Sequence, residues 1–286
     1  MWRLAFGLVL VSSSVLGQQA VAAGADLRDM MSARNIAMGG AYEAMGYGAE
    51  TIGGNPAGLS LYKRYQLEAS GLWDIPQGYG MAQAALADSA SSVVAAGVSY
   101  QFATFGEQDR RWSHITTMAM AYAIADWLHI GVAGRHHVIT GGSTTNSITM
   151  NAGIIVRPWQ FLSIGVSGHN LINNYNKDIT RYFVASVAGM FFNQLSPVFD
   201  LWADFNQPAP RFAYHAGLEW LIANTVPVRV GYQYDAIAGH QYIAFGVGYF
   251  NEGSGIDLSY RHEVAIDKDH PGDGGRMLAL TLKLQL

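Results

Sequence analysis

The side chains that could do chemistry are nine histidines, a thin scatter of carboxylates and arginines, and a single Ser-Gly-His run; there is no cysteine. Without cysteine the chain has no disulfide scaffold, thiolate metal site, thiol nucleophile or lipid-modified N-terminal Cys. His136 and His137 are neighbours in an apolar-alternating stretch, so their rings point to opposite faces and cannot share a metal ion. Ser167-Gly-His169 puts a hydroxyl and an imidazole on one face of a strand, and Asp200 or Asp204 could supply an acid. No Gly-x-Ser-x-Gly elbow accompanies it. No phosphate-cradling glycine pattern opens a helix either. A net charge of −4 argues against a nucleic-acid surface. Asp267-Lys-Asp-His-Pro-Gly-Asp273 is acidic enough to hold Ca²⁺ weakly, although a solvated loop accounts for it as well. The expectation is no catalytic residue, no enzyme, no metal and no cofactor.

The elements that must carry these residues are strands. Half of the 286 residues are hydrophobic and 13% are charged, against roughly 25% charged in a soluble domain. Past the first residues, however, no apolar run reaches the ~20 residues of a membrane helix. The apolar residues alternate instead. Leu67, Ala69, Gly71 and Trp73 interleave with Gln66, Glu68 and Ser70, and Leu278 to Leu286 interleave with Ala279, Thr281, Lys283 and Gln285. Such runs predict strands near 63–73, 79–87, 93–105, 112–124, 127–139, 147–157, 161–171, 180–192, 197–205, 211–222, 226–235, 240–250, 256–264 and 276–286.

Fourteen is an even number, and alternate connections are never longer than five residues while the others include Leu171–Ile179 and Ala265–Gly275. That is the pattern of short periplasmic turns and longer outer loops. The second face is Gly, Ala, Ser, Thr, Asn and Gln rather than charged, which disfavours a soluble sandwich. The fold class expected is therefore all-β: a transmembrane antiparallel β-barrel of fourteen strands in a bacterial outer membrane. Parity places His129, His137, His169 and His215 on the lumenal face with Arg135, Glu219, Arg229, Asp257 and Arg261. Glu219 and Arg229 oppose each other across the Ala223–Thr225 turn, a geometry that suits a lumenal ion pair. Tyr65, Trp73, Tyr79, Trp112, Trp127, Trp159, Phe161, Phe192, Trp220 and Tyr249 stand at run ends, where interfacial girdles form.

Two stretches precede the strands. Residues 1–23, with Arg3, an apolar Leu4–Leu16 and the small residues Ala20 to Ala23, read as a signal peptide cut after Ala22 or Ala23. Residues 24–62 do not alternate; they contain Arg34, Met38, Gly39, Gly40 and Ala41, then Asn55-Pro56-Ala57-Gly58-Leu59. An Arg-x-x-x-Met-Gly-Gly-Ala stretch followed some fifteen residues on by Asn-Pro-Ala-Gly-Leu resembles the N-terminal part of the FadL-like and PorV/PorQ-like outer-membrane barrels. His215-Ala-Gly-Leu-Glu-Trp220 with Val228-Arg-Val-Gly-Tyr232 resembles a hairpin of the same barrels. The resemblance implies fourteen strands over residues 63–286 with the N-terminal segment folded into the lumen as a hatch. A Gly-rich, charge-poor segment suits such packing because missing Cβ atoms let backbones approach.

The chain departs from the FadL pattern in its length, in outer loops without room for helical hairpins, and in ending on Leu286 rather than an aromatic residue. The short loops, with the PorV/PorQ-like side of the resemblance, imply a non-enzymatic anchor or scaffold for a secretion, surface-attachment or motility complex. The alternative is passive transport of hydrophobic, fatty-acid-like molecules. Expected partners are outer-membrane lipid, the barrel-assembly machinery, periplasmic or surface proteins for the scaffold, and a hydrophobic ligand for the transporter.

Overall fold

The computed structural model describes residues 27–29, 31–105, 110–141, 144–172, 178–206, 209–237, 239–264 and 274–286. The signal-peptide stretch and the acidic run 267–273 lie outside them. Fourteen strands follow one another as β1 Tyr65–Asp74, β2 Tyr79–Asp88, β3 Val94–Thr104, β4 Trp112–Ala125, β5 Leu128–Thr140, β6 Thr145–Trp159 and β7 Leu162–His169. They continue as β8 Tyr182–Gly189, β9 Leu195–Asp204, β10 Arg211–Ile222, β11 Val226–Asp235, β12 His240–Phe250, β13 Ser254–Val264 and β14 Arg276–Gln285. Every strand pairs antiparallel with its sequence neighbours, and β1 closes the ring on β14 with Ala69 opposite Leu282. Closure satisfies every ladder hydrogen bond without an edge, the condition for a sheet to cross lipid. The register slips in two places, between Ala123 and Ala125 and between Val156 and Trp159, both next to short turns.

Burial follows parity. Val98, Ile154 and Leu282 face outward while Gln101, Ile155 and Lys283 are buried inward. An outer face of Leu, Val, Ile and Phe around a closed, even-stranded barrel is the surface of an outer-membrane protein. Trp73, Trp112, Trp127, Trp159, Phe161, Phe192, Trp220 and Tyr249 are exposed at strand ends, as expected of girdle residues. Tyr79 is not one of them. It points inward, 7% exposed, because the upper lumen is itself apolar and takes the ring. Tyr65 is half-buried at the periplasmic start of β1.

Residues 31–60 are almost wholly buried and lie against inward-facing side chains. One short helix, α1 (Ala33–Ala37), faces β11 to β14, and two 3₁₀ turns follow at Gly48–Thr51 and Pro56–Ser60. Asn55 caps the second turn: its Oδ1 accepts from Ala57 N–H at 3.1 Å, and Pro56 begins it, where a missing N–H costs nothing. Ile52 and Leu59 fill the space beside Ala85, Ala87, Ala95, Ala119, Ala121 and Ala133, so the small residues of β2 to β5 form a recess for the segment.

Candidate functional site

The periplasmic half of the lumen holds a continuous ionic cluster. Its wall contributes Glu68 (β1), Glu219 (β10), Arg229 (β11), Asp257 (β13) and Lys283 (β14); the enclosed segment contributes Arg34 and Glu50. Arg34 donates through Nε and Nη2 to Glu219 at 3.0 and 3.2 Å and through Nη1 to Glu50. Glu219 and Arg229 are direct cross-strand partners joined at 2.6 Å, the pair expected across the turn. Arg229 continues to Asp257, and Lys283 reaches Glu50 at 3.1, Asp257 at 3.5 and Glu68 at 3.7 Å. Three cations thus meet four carboxylates where little water enters, and each charge has an opposite neighbour. Burial alone would push the Glu50 carboxyl up, but Arg34 and Lys283 outweigh it and hold it below its ordinary range.

Beside and beyond this cluster the segment is fastened to the wall by single hydrogen bonds. Asp200 Oδ2 accepts from Tyr42 and Glu43 N–H at 2.9 and 3.1 Å, and Ser186 Oγ accepts from Ala44 N–H at 2.9 Å. Thr281 accepts from Ala33 N–H, Gly39 C=O faces His215 Nδ1 at 2.8 Å, and Ser60 faces His129 Nδ1 at 2.9 Å. Gly39, at φ 65°, presses its backbone onto Gly231, where a Cβ would collide with Gly39 N and Met38 C. Gly40, at φ 79°, lies under the His215 ring, and Met38 packs on Gly217. Asn55 fits against Gly153 in the same way. These side chains answer the backbone groups of a segment that has almost no secondary structure of its own.

The extracellular half is of another character. Leu72, Tyr79, Met81, Phe105, Ile139, Val184, Trp202 and Met277 point inward there and enclose Met31, Ile36 and Tyr42 of the segment, with Leu27 against them. Four rings from adjacent strands stack in a ladder, His169–Tyr182 at 4.5, Tyr182–Trp202 at 4.8 and Trp202–His215 at 4.4 Å. The expectation of a Gly, Ser, Thr, Asn and Gln wall does not hold at this end. Arg135 and His137 border a small cavity beside Tyr182 and Leu27. Arg261 lies 4.1 Å over the Tyr242 ring and reaches Gln233.

Ser167 and His169 do meet, Oγ to Nε2 at 2.9 Å, but the acid beside them is Glu43 of the enclosed segment. Glu43 approaches the same Nε2, at 3.4 Å, so no acid orients His169 through Nδ1 as a catalytic triad requires. Asp200 is spent on the segment's N–H groups and on Ser186. Among the described residues no group of three or more His, Asp and Glu side chains could hold a metal ion. A second cavity, of about 560 Å³, lies at the β1–β14 seam, lined by the lipid-facing Leu67, Tyr249, Ile256 and Leu282 and also by Glu68 and Lys283 of the ionic cluster.

Sequence reasoning placed Arg34, Glu219 and Arg229 in the lumen or its segment but missed Glu50, Glu68 and Lys283. The parity of β1 and β14 carries the signal for Glu68 and Lys283, charged residues on a face that must be enclosed. Glu50 has no such signal, since its surroundings are not periodic.

No protein-family profile and no curated protein matches the chain. Solved structures do. The Ralstonia pickettii toluene transporter TbuX is similar at TM-score 0.68 and 12% identity over 91% of this chain and 98% of its own. The CymD monoaromatic hydrocarbon channel gives 0.67 and 13% over 91% and 98%. A Pseudomonas aeruginosa FadL homologue gives 0.61 and 10% over 89% and 97%. At these identities the likeness is one of fold. The chain has the FadL-like fold, a closed fourteen-stranded outer-membrane barrel.

Proposed function

We propose that the barrel passes apolar small molecules across the outer membrane passively, with the N-terminal segment as a hatch held by the ionic cluster. The observation that carries this reading is the division of the lumen. A pore for polar solutes is polar along its length, whereas the outer half here is aromatic and aliphatic and is filled by the segment's own Met31, Ile36 and Tyr42. A solute of the toluene kind matches that chamber, and the similar structures of TbuX and CymD belong to carriers of such solutes. The apolar face takes the solute from water, and movement of the segment clears its way.

The scaffold expectation leaned on the chain's short length and loops. The match to TbuX runs over 98% of that chain, which removes length as an argument against passage. PorV and PorQ are not among the similar structures described above. Uptake of labelled toluene into cells producing the protein should exceed that of cells without it; equal uptake overturns the reading. Co-purification separates the alternatives, since a stoichiometric protein at the rim would speak for the scaffold and an apolar molecule in the lumen for passage.

A further inference from the structure

At the extracellular end of the lumen a cavity of about 20 Å³ is bordered by Arg135, His137, Asn170, Tyr182 and Leu27, and by Arg28, which is paired with Asp235 at 3.3 Å. That is room for one solvent-sized group, the threshold being roughly 10–15 Å³. His137 is 1% exposed and neither ring nitrogen has a hydrogen-bond partner. Arg135 Nε is buried and unpartnered as well. Asn170 is oriented by its own contacts. Its Nδ2 donates to Thr180 C=O at 2.9 Å, which turns Oδ1, buried and unpartnered, the other way. Buried polar groups in folded proteins almost always have partners, and here three residues, each with an unpartnered buried polar atom, border one small space. Asp178, the carboxylate at its edge, is paired with Arg111 at 2.7 Å.

We propose that this cavity takes the hydroxyl of a phenol-like arene, so that the chamber prefers hydroxylated aromatic solutes over plain hydrocarbons. The inference rests on the passage reading of the same chamber. The chemistry selects the group. Arg135 Nε–H needs an acceptor, Asn170 Oδ1 needs a donor, and the neutral imidazole of His137 offers one of each. A hydroxyl is both donor and acceptor on one atom. A methyl group leaves all three residues unpaired, and a carboxylate satisfies Arg135 but sets a second acceptor against Asn170 Oδ1. The ring follows on the side of Leu27, which is only half-buried, and comes to lie beside Tyr182 of the stacked ladder.

Equilibrium dialysis of labelled phenol, toluene and benzoate against the full-length protein in detergent micelles, corrected with empty micelles, tests this. Phenol should bind saturably and about ten-fold tighter than toluene or benzoate, the difference that one unmet buried polar group makes. His137→Phe keeps the ring volume, and Asn170→Gly tolerates the backbone φ of 54° at that position. Each should reduce phenol to the toluene level while toluene binding is unchanged, with heat-modifiable gel mobility reporting the folded barrel. Equal affinity for phenol and toluene in the unaltered protein would mean that the groups are merely hydrated, and would overturn the proposal. Tighter binding of benzoate would overturn it in favour of an anion site. Toluene uptake without phenol preference sinks this inference alone, whereas phenol binding without uptake of either solute sinks the passage reading and leaves the site standing.

Discussion

Arg34 is the residue on which the seating of the N-terminal segment turns, because it joins Glu50 of the segment to Glu219 of the wall. Replacing it by Met leaves two carboxylates with one cation each, Lys283 for Glu50 and Arg229 for Glu219. Removing one member of a buried ion pair costs about 3–5 kcal/mol, and the retained cations put this site at the low end. Arg34→Met should therefore raise conductance in planar bilayers while the barrel stays folded, and adding Glu219→Gln should recover part of the loss. Acid should act through the same contacts. Because the folded protein holds the Glu50 carboxyl below its ordinary value of 4.5, its contribution is complete above that pH. It is lost as pH falls below 4.5 through the folded value. The leak should rise as pH falls below that point; a leak that grows towards alkaline pH would contradict the assignment.

At the scale of elements, the enclosed segment is positioned by close approach rather than by regular structure. Met38 and Gly39 rest on β11 where Gly231 leaves no side chain in the way, so the segment's backbone touches the wall. Gly231→Val would force the two apart by a whole side chain. The strand itself gains a β-branched residue it can readily accommodate. Insertion and gel mobility should thus be retained, while small polar solutes leak faster than through the unaltered protein. An unchanged leak would mean that the segment can reseat without this contact. Strand positions were legible in the sequence because lipid on one side and a filled lumen on the other impose period two on every strand. The predicted bounds of β10, β11 and β12 coincide with the observed ones, and the rest differ by a few residues where turns and bulges intervene. The path of the segment between Met31 and Ser60 was not legible in this way. Its contacts are to residues far away in sequence, such as Asp200, Thr281 and Gly231, and no periodicity records them.

For the whole molecule, the lipid-facing surface sets whether the chain inserts at all. Val98→Arg, Ile154→Arg and Leu282→Arg each place a charge among exposed apolar side chains on the outer wall. Each should cost about 2–4 kcal/mol near the bilayer midplane and abolish the heat-modifiable band; survival of all three would refute the register. Composition and alternation by themselves determined the class of fold, the strand number and the face of nearly every strand residue, since these follow from local pattern and from the bilayer as solvent. They also put Glu219 opposite Arg229, because a short turn ties the two strands in register. Tertiary structure decided what the lumen is. Only closure of β1 on β14 brings Lys283 to Glu68 and Glu50, and only the stacking of inward faces from separate strands shows an apolar, aromatic chamber above a charged cluster. Parity says which side a residue faces, but the depth at which it meets residues of other strands depends on the stagger of the whole ring, which no single strand encodes.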